Sequence, residues 1–130
     1  MAKIKILIVD DNPFICQLLE SRLQANGYDT VIATSGTEAF QKAKDYLPNL
    51  ILLDISMPGE DGFEAGSKIK NYQQTSKIPI IMVTAQNSQG NIMRAVSELN
   101  AAAYIIKPFK PEDLIREIQK VLDKYNWPDQ

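Results

Sequence analysis

The run Ile4-Lys5-Ile6-Leu7-Ile8-Val9-Asp10-Asp11-Asn12-Pro13 is almost wholly apolar for six residues and then abruptly acidic. A strand buried on both faces reads this way, because neither alternating face meets water. Pro13 suits the first turn of a helix, where its missing N–H costs nothing. Phe14, Ile15, Leu18, Leu19 and Leu23 then recur at helical spacing, and Asn26-Gly27 marks a stop. Strand, acidic turn and helix thus follow one another within some two dozen residues.

The same unit repeats outward from this segment. Tyr28 to Ala33 reads as a second strand. Ser35 and Glu38 stand at capping-box spacing ahead of a helix carrying Ala39, Phe40, Ala43 and Leu47. Leu50-Ile51-Leu52-Leu53 is a third buried strand, ended by Asp54. Met57-Pro58-Gly59-Glu60-Asp61-Gly62 has loop chemistry, and Phe63, Ile69 and Tyr72 follow with helical spacing, interrupted by Gly66. Ile78 to Val83 is a fourth strand, leading into Thr84-Ala85-Gln86, and Ile92, Met93, Val96 and Leu99 mark a fourth helix. Tyr104-Ile105-Ile106 is a short fifth strand closed by Lys107-Pro108. Pro111 opens a last helix with an apolar face of Leu114, Ile118, Val121, Leu122 and Tyr125. Five strands alternating with five helices predict an α/β fold, a doubly wound five-stranded parallel sheet with helices on both faces. Ligands of such sheets bind at the carboxyl ends of the strands.

The 130 residues make one domain, expected over 1–126 with 127–130 as a short tail. Fourteen Lys and Arg against sixteen Asp and Glu leave a net charge of −2, so no broad basic footprint for nucleic acid exists. The lone Cys16 excludes an internal disulfide and fits a reducing compartment. No apolar run is long enough for a membrane span or a signal peptide, so a cytoplasmic location without membrane insertion is expected. The chain has no histidine. That removes Ser/His/Asp and Cys/His nucleophile systems and imidazole metal sites together.

The polar residues at the strand ends are Asp10-Asp11, Asp54, Thr84 and Lys107. In a parallel sheet they share one rim. Three neighbouring carboxylates repel one another unless a cation intervenes. Mg²⁺, a hard ion that takes few carboxylates and keeps its waters, suits them. An aspartate between such an ion and the Lys107 ammonium is poised for a phosphoryl group, and carboxylates do form aspartyl-phosphates. Taken alone, Asp10-Asp11 is a helix-capping pair, Thr84 a cap, Lys107 a surface lysine and Tyr104 a half-buried core aromatic; together they are a site. Cys16 reads as packed rather than reactive, and Trp127 as a docking residue of the last helix.

With these residues in this order, the chain resembles a response-regulator receiver domain over nearly its whole length. The resemblance rests on Asp10-Asp11, Asp54, Met57 to Gly62, Thr84-Ala85, and Tyr104 ahead of Lys107-Pro108-Phe109. It implies Asp54 as phosphoacceptor, with Asp11, Asp54 and the Ser56 backbone carbonyl on Mg²⁺ and Asp10 acting mostly through water. It implies that the Thr84 hydroxyl, the Ala85 amide and Lys107 hold phosphoryl oxygens, that Tyr104 is a switch aromatic, and that Lys107-Pro108 is cis. Ser56 and Gln86 flank the site and would tune the lifetime of the adduct. The implied donor is a histidine kinase or a histidine phosphotransfer protein, and the implied output a downstream protein docked on the face of helix four, strand five and helix five. The protein would be a phosphoacceptor, not a turnover enzyme, and would not bind nucleic acid directly. The sequence departs from the family at Asn100-Ala101-Ala102-Ala103, where an acidic residue usually precedes the aromatic; this leaves a flat apolar patch beside Tyr104. Rival readings are weaker. An aspartyl-phosphate phosphatase would want a second acid where Ser56 stands, and a flavodoxin-like cofactor binder a Gly-rich loop in place of Asp10-Asp11-Asn12-Pro13. A phosphorylation-independent scaffold, or a receiver excised from a larger effector, remains as alternative.

Overall fold

The computed structural model describes residues 3–57, 61–85 and 89–124. Ten elements alternate: β1 Lys5–Val9, α1 Pro13–Ala25, β2 Asp29–Ala33, α2 Gly36–Tyr46, β3 Leu50–Asp54, α3 Asp61–Asn71, β4 Ile80–Thr84, α4 Gln89–Leu99, β5 Ala103–Ile106 and α5 Pro111–Lys124. The strands form one sheet in the order β2-β1-β3-β4-β5, every pair parallel. Strand order reverses between β1 and β3, and the carboxyl ends beside such a reversal are where sheets of this kind bind ligands.

The apolar runs are continuous because each sheet face has its own core. Ile6, Ile8, Leu50, Leu52 and Ile81 point to α1 and α5, against Leu19, Leu23, Leu114 and Ile118. Leu7, Val9, Ile51, Leu53, Ile80 and Met82 point to α2, α3 and α4, against Ala43, Phe63, Ile69 and Leu99. Each fully buried Leu or Ile contributes about 1.5–3 kcal/mol. The strand ends are thereby held by tight packing from both sides.

Local chemistry sets the boundaries. Asn12 caps α1, its Oδ1 accepting from Phe14 N at 2.9 Å and Ile15 N at 3.3 Å, with Pro13 in the first turn. Ser35 Oγ accepts from Glu38 N at 3.2 Å, while the Glu38 carboxylate reaches back to Thr34 N at 2.8 Å. The capping box therefore closes one residue earlier than its spacing predicts. Strand four begins at Ile80 rather than Ile78, since Pro79 has no N–H to pair, and runs on through Thr84. Asn100 takes the left-handed conformation at φ 49°, and the Lys107-Pro108 bond is cis.

Several apolar positions fall outside the expected helical faces. Phe14 is 80% exposed and Met93 71%, and Leu18 and Val96 are also exposed. Helical spacing groups residues on one side of a cylinder, but the buried stripe is narrower and centres on Cys16, Leu19 and Leu23 in α1 and on Ala95 and Leu99 in α4. Leu47 lies past the end of α2 as its left-handed cap, and Tyr72 lies past α3, its ring edge-on to Phe40. Gly66 is required by packing: a Cβ there would meet Leu99 Cδ1 at 2.8 Å. Pro58, Gly59, Glu60, Gln86, Tyr125 and the expected 127–130 tail lie outside the described residues.

Gly62 is a tighter case. A Cβ would sit 2.7 Å from Ile55 Cα and 2.8 Å from Asp54 O, both backbone. Gly62→Ala should destabilise the fold by about 1–3 kcal/mol through overpacking. Urea unfolding checks this as a lower midpoint at unchanged slope.

Candidate functional site

Three backbone bonds fix the rim. Asp10 N donates to Ala33 O at 3.1 Å, Ile55 N to Val83 O at 3.0 Å and Lys107 N to Thr84 O at 2.8 Å. Each extends the sheet ladder past a strand end, so the polar residues inherit the strands' rigidity. Asp10 and Asp54 are nearly inaccessible, and Asp11 faces solvent. One carboxylate oxygen from each of the three lies within 4.8 Å of the others. These residues can hold a divalent cation: hard oxygen donors, two of them nearly inaccessible, leave an open side at Asp11 for water.

The Lys107 ammonium donates to Asp54 Oδ2 at 3.0 Å and to Asp10 Oδ2 at 3.2 Å. Asp10 Oδ1 accepts from Asn12 N at 2.9 Å. Asp54 Oδ1 accepts twice from one residue, from Ser56 N at 2.8 Å and from Ser56 Oγ at 2.6 Å. The Thr84 hydroxyl is fully buried and has no hydrogen-bond partner among the described residues. Such an orphan costs roughly 1–3 kcal/mol. Ala85, Lys107 and Pro108 line a cleft of about 420 Å³ with Ile15, Leu18, Leu19 and Phe109. Tyr104 is half-exposed on β5, in a groove between β5 and α5 shared with Asp113, Arg116 and Glu117.

Burial pushes the Asp10 carboxyl above its ordinary value, and the Asp54 charge adds to this. The Asn12 amide and Lys107 pull the other way without cancelling it. Burial pulls the Lys107 ammonium down, but the hydrogen bond and charge of Asp54, with those of Asp10, outweigh it and leave it raised. Burial pushes the Cys16 thiol up to about 11, helped by the Asp10 charge. Its Sγ donates to Asp10 O at 3.2 Å, so it is packed and inert, as its place among apolar positions predicts.

The structure thus brings Asp10, Asp11, Asp54, Ser56, Thr84, Ala85 and Lys107 to one rim, with Tyr104 one strand away. Sequence reading missed the Ser56 hydroxyl bond and the exposure of Phe14 in the first turn of α1. The first carries a faint signal, a serine two residues after an acid being a local side-chain turn pattern. The second carries none, since Phe14 fits the helical periodicity.

A response regulator receiver domain model matches residues 6–119. The chain is 37% identical over 118 residues to PhoP, the alkaline phosphatase synthesis transcriptional regulatory protein of Bacillus subtilis, covering 91% of this chain and 48% of that protein. It is 40% identical over 122 residues to a probable transcriptional regulator of Porphyridium aerugineum, covering 94% and 49%. The chain spans about half the length of these relatives. Among solved structures, Vibrio cholerae chemotaxis protein CheY4 superposes with a TM-score of 0.86 at 33% identity, covering 92% of this chain and 99% of that one. The receiver domain of a sensor histidine kinase from Pseudomonas aeruginosa PAO1, with a magnesium ion coordinated in its active site cleft, gives 0.83 at 30% identity, covering 94% and 99%. A sheet of order 2-1-3-4-5 with an acid cluster and a lysine at its carboxyl rim defines a phosphoryl-accepting switch module. The chain belongs to the response-regulator receiver family. It is a phosphoryl-accepting receiver domain, of a family whose domains are phosphoacceptors rather than classical enzymes, and its acid cluster is consistent with Mg-dependent phosphotransfer and conformational switching. No helix among the described residues is long and apolar enough to cross a membrane.

The raised Asp10 pKa carries a sign for stability. Between the ordinary aspartate range and its raised value, the folded state holds a proton that the unfolded state releases. Stability therefore falls as pH rises through that window and stays lowered above it. In metal-free buffer Asp10→Asn should raise Tm at neutral pH, and the gain should vanish below the ordinary aspartate range. Thermal melts of both proteins across pH measure this; a gain constant with pH would contradict it.

Proposed function

We propose that Asp54 takes the phosphoryl group, in a Mg²⁺-dependent transfer from a phosphohistidine donor. The observation that carries this is the Asp54 carboxylate itself, 2% exposed yet ion-paired at 3.0 Å to Lys107 inside a cluster of acids. A carboxylate this buried and this oriented is preorganised for attack. Asp11 and Asp54 would hold Mg²⁺ with the Ser56 carbonyl, Asp10 acting through water. That ion, when bound, supplies charge that offsets the carboxylate repulsion and the phosphoryl oxygens. An Asp54 oxygen forms the new P–O bond as the P–N bond breaks, and the donor imidazole nitrogen keeps the electron pair. Lys107, the Thr84 hydroxyl and the Ala85 amide would take the phosphoryl oxygens.

Thr84 supports the switch reading because its buried hydroxyl has no partner among the described residues. Drawn toward a phosphoryl oxygen, it would leave space for Tyr104 to turn inward. This shifts the population between two packings of the face built from α4, β5 and α5. Met93, Val96 and Tyr104 give that face exposed apolar surface for a downstream protein. Residues 1–126 would act as the receiver, whether alone or as part of a longer effector, in the cytoplasm. The donor would be a histidine kinase or a histidine phosphotransfer protein. It would dock where Phe14 and Leu18 stand exposed on α1, Leu18 lining the cleft with Lys107 and Pro108.

Intact-protein mass after incubation with Mg²⁺ and a small acyl-phosphate donor tests the chemistry. One added phosphoryl group is expected, absent in Asp54→Asn and in EDTA. Lys107→Met should slow its formation roughly 10²-fold or more, as loss of a preorganised charge does. No adduct despite confirmed Mg²⁺ binding, and none from a phosphohistidine protein, would turn the reading to a scaffold. Docking is tested separately: Phe14→Asp should slow transfer from a phosphohistidine protein about tenfold or more, as loss of an interface anchor does. The rate with the small donor should be unchanged.

A further inference from the structure

The end of the sheet opposite the acid rim carries a patch that the phosphoryl chemistry does not use. Tyr46 and Leu47 are half-exposed there, beside a cleft of about 250 Å³ that Leu47 lines with Pro48, Ile78 and Lys77. Leu47 holds φ 47° and ψ 62°. A residue with a Cβ pays for the left-handed region, which is why helix caps of this kind are usually Gly or Asn. The strain here retains a half-exposed leucine at the position where glycine would be more stable.

Lys77 lines the cleft itself, and two further lysines lie on aromatic rings at this end of the molecule. Lys5 Nζ lies 5.4 Å from the centre of the Tyr46 ring, and Lys44 Nζ lies over the rings of Phe40 at 4.6 Å and Tyr72 at 5.7 Å. Lys5, Lys44 and Lys77 have no carboxylate partner among the described residues. Of the acids nearby, Asp29 faces Lys3 at 3.9 Å, and Asp45, whose carboxylate accepts from the neutral Gln41 amide at 3.1 Å, keeps its charge, so Lys5, Lys44 and Lys77 outnumber it. Lysines at helix C-termini offset the helix dipole, which explains Lys44 in the last turn of α2 but not the exposed Leu47. Three lysines without a single arginine, on a chain of net charge −2, are too few to track a polyanion.

We infer that this patch is a docking site for an acidic protein segment bearing an apolar side chain, which seats beside Leu47 while its carboxylates meet Lys5, Lys44 and Lys77. The apolar centre with a charged rim is the ordinary anatomy of a protein interface. Charge complementarity makes the contact sensitive to salt. Lying at the strand N-termini, the site is open whatever the state of the rim across the sheet.

The full chain, labelled with ¹⁵N, is titrated with a short synthetic peptide of glutamate and leucine. Amide shifts confined to the neighbourhood of Lys5, Tyr46, Leu47 and Lys77, weakening with added salt, are expected. Leu47→Gly should melt higher than wild type and bind about tenfold more weakly, as loss of an anchor does. A purely structural Leu47 would give the first change without the second. Lys77→Glu should weaken binding while leaving the melting curve and small-donor phosphorylation as in wild type. Shifts mapping to another face, equal affinity in both variants, or binding only to anionic vesicles or to DNA would each overturn the proposal.

Discussion

One ammonium group holds the acid rim together. Lys107 spans 53 residues of sequence to Asp54 and 97 to Asp10, and it places a single positive charge against two buried carboxylates. Without it, two nearly inaccessible acids would face each other uncompensated, and breaking such a buried pair costs several kcal/mol. One cation between two anions leaves the cluster undercharged. Burial and Asp54 together keep Asp10 raised despite Lys107. That residual deficit is what makes the rim receptive to a further cation.

The sheet supplies the precision this arrangement needs. β1, β3 and β4 are covered on both faces, and each ends in or is followed at once by a polar residue whose backbone, or whose neighbour's backbone, continues the ladder. Asp54 therefore sits on a covered strand, and Asp10 directly after one with its amide still in the ladder. Gly62 brings the start of α3 onto the backbone of Asp54 and Ile55, closing the rim from a third side. Ser56 then fixes the Asp54 carboxylate through both its amide and its hydroxyl. Rigid support and a locally undercompensated charge are the two physical ingredients of the site.

The sheet was legible because buried parallel strands leave a strong mark, and Asp10, Asp54, Thr84 and Lys107 stood out as polar residues terminating apolar runs. Asn100 was legible for a different reason, its tolerance of the left-handed region. What periodicity could not show was which side of each helix meets the sheet. Phe14 and Leu18 share the spacing of Leu19 and Leu23, and Met93 and Val96 that of Leu99, yet they face outward. Gly66 was equally opaque, since its reason is a leucine from another helix. Helical spacing encodes an angle about one axis, whereas these outcomes depend on where neighbouring axes pass. The pair of hydrogen bonds from Ser56 to Asp54 depends on a local turn and a rotamer, which residue type alone does not fix.

On the proposed chemistry, the Thr84 hydroxyl, unpartnered among the described residues, limits what that group can add to signal gain. Satisfying one buried polar group returns about 1–3 kcal/mol. Moving a two-state equilibrium from 1:99 to 99:1 takes about 5.5 kcal/mol. On the proposed chemistry, Thr84 alone would therefore leave a receiver with an appreciable basal output and an incomplete response. Full contrast between the off and on states requires a second contribution, and Lys107 is the group placed to give it, since it must redistribute its two bonds when new oxygens arrive. The ratio of output between the two states would then be divided between a hydroxyl on β4 and an ammonium after β5, and it could be tuned at either without changing the acceptor itself.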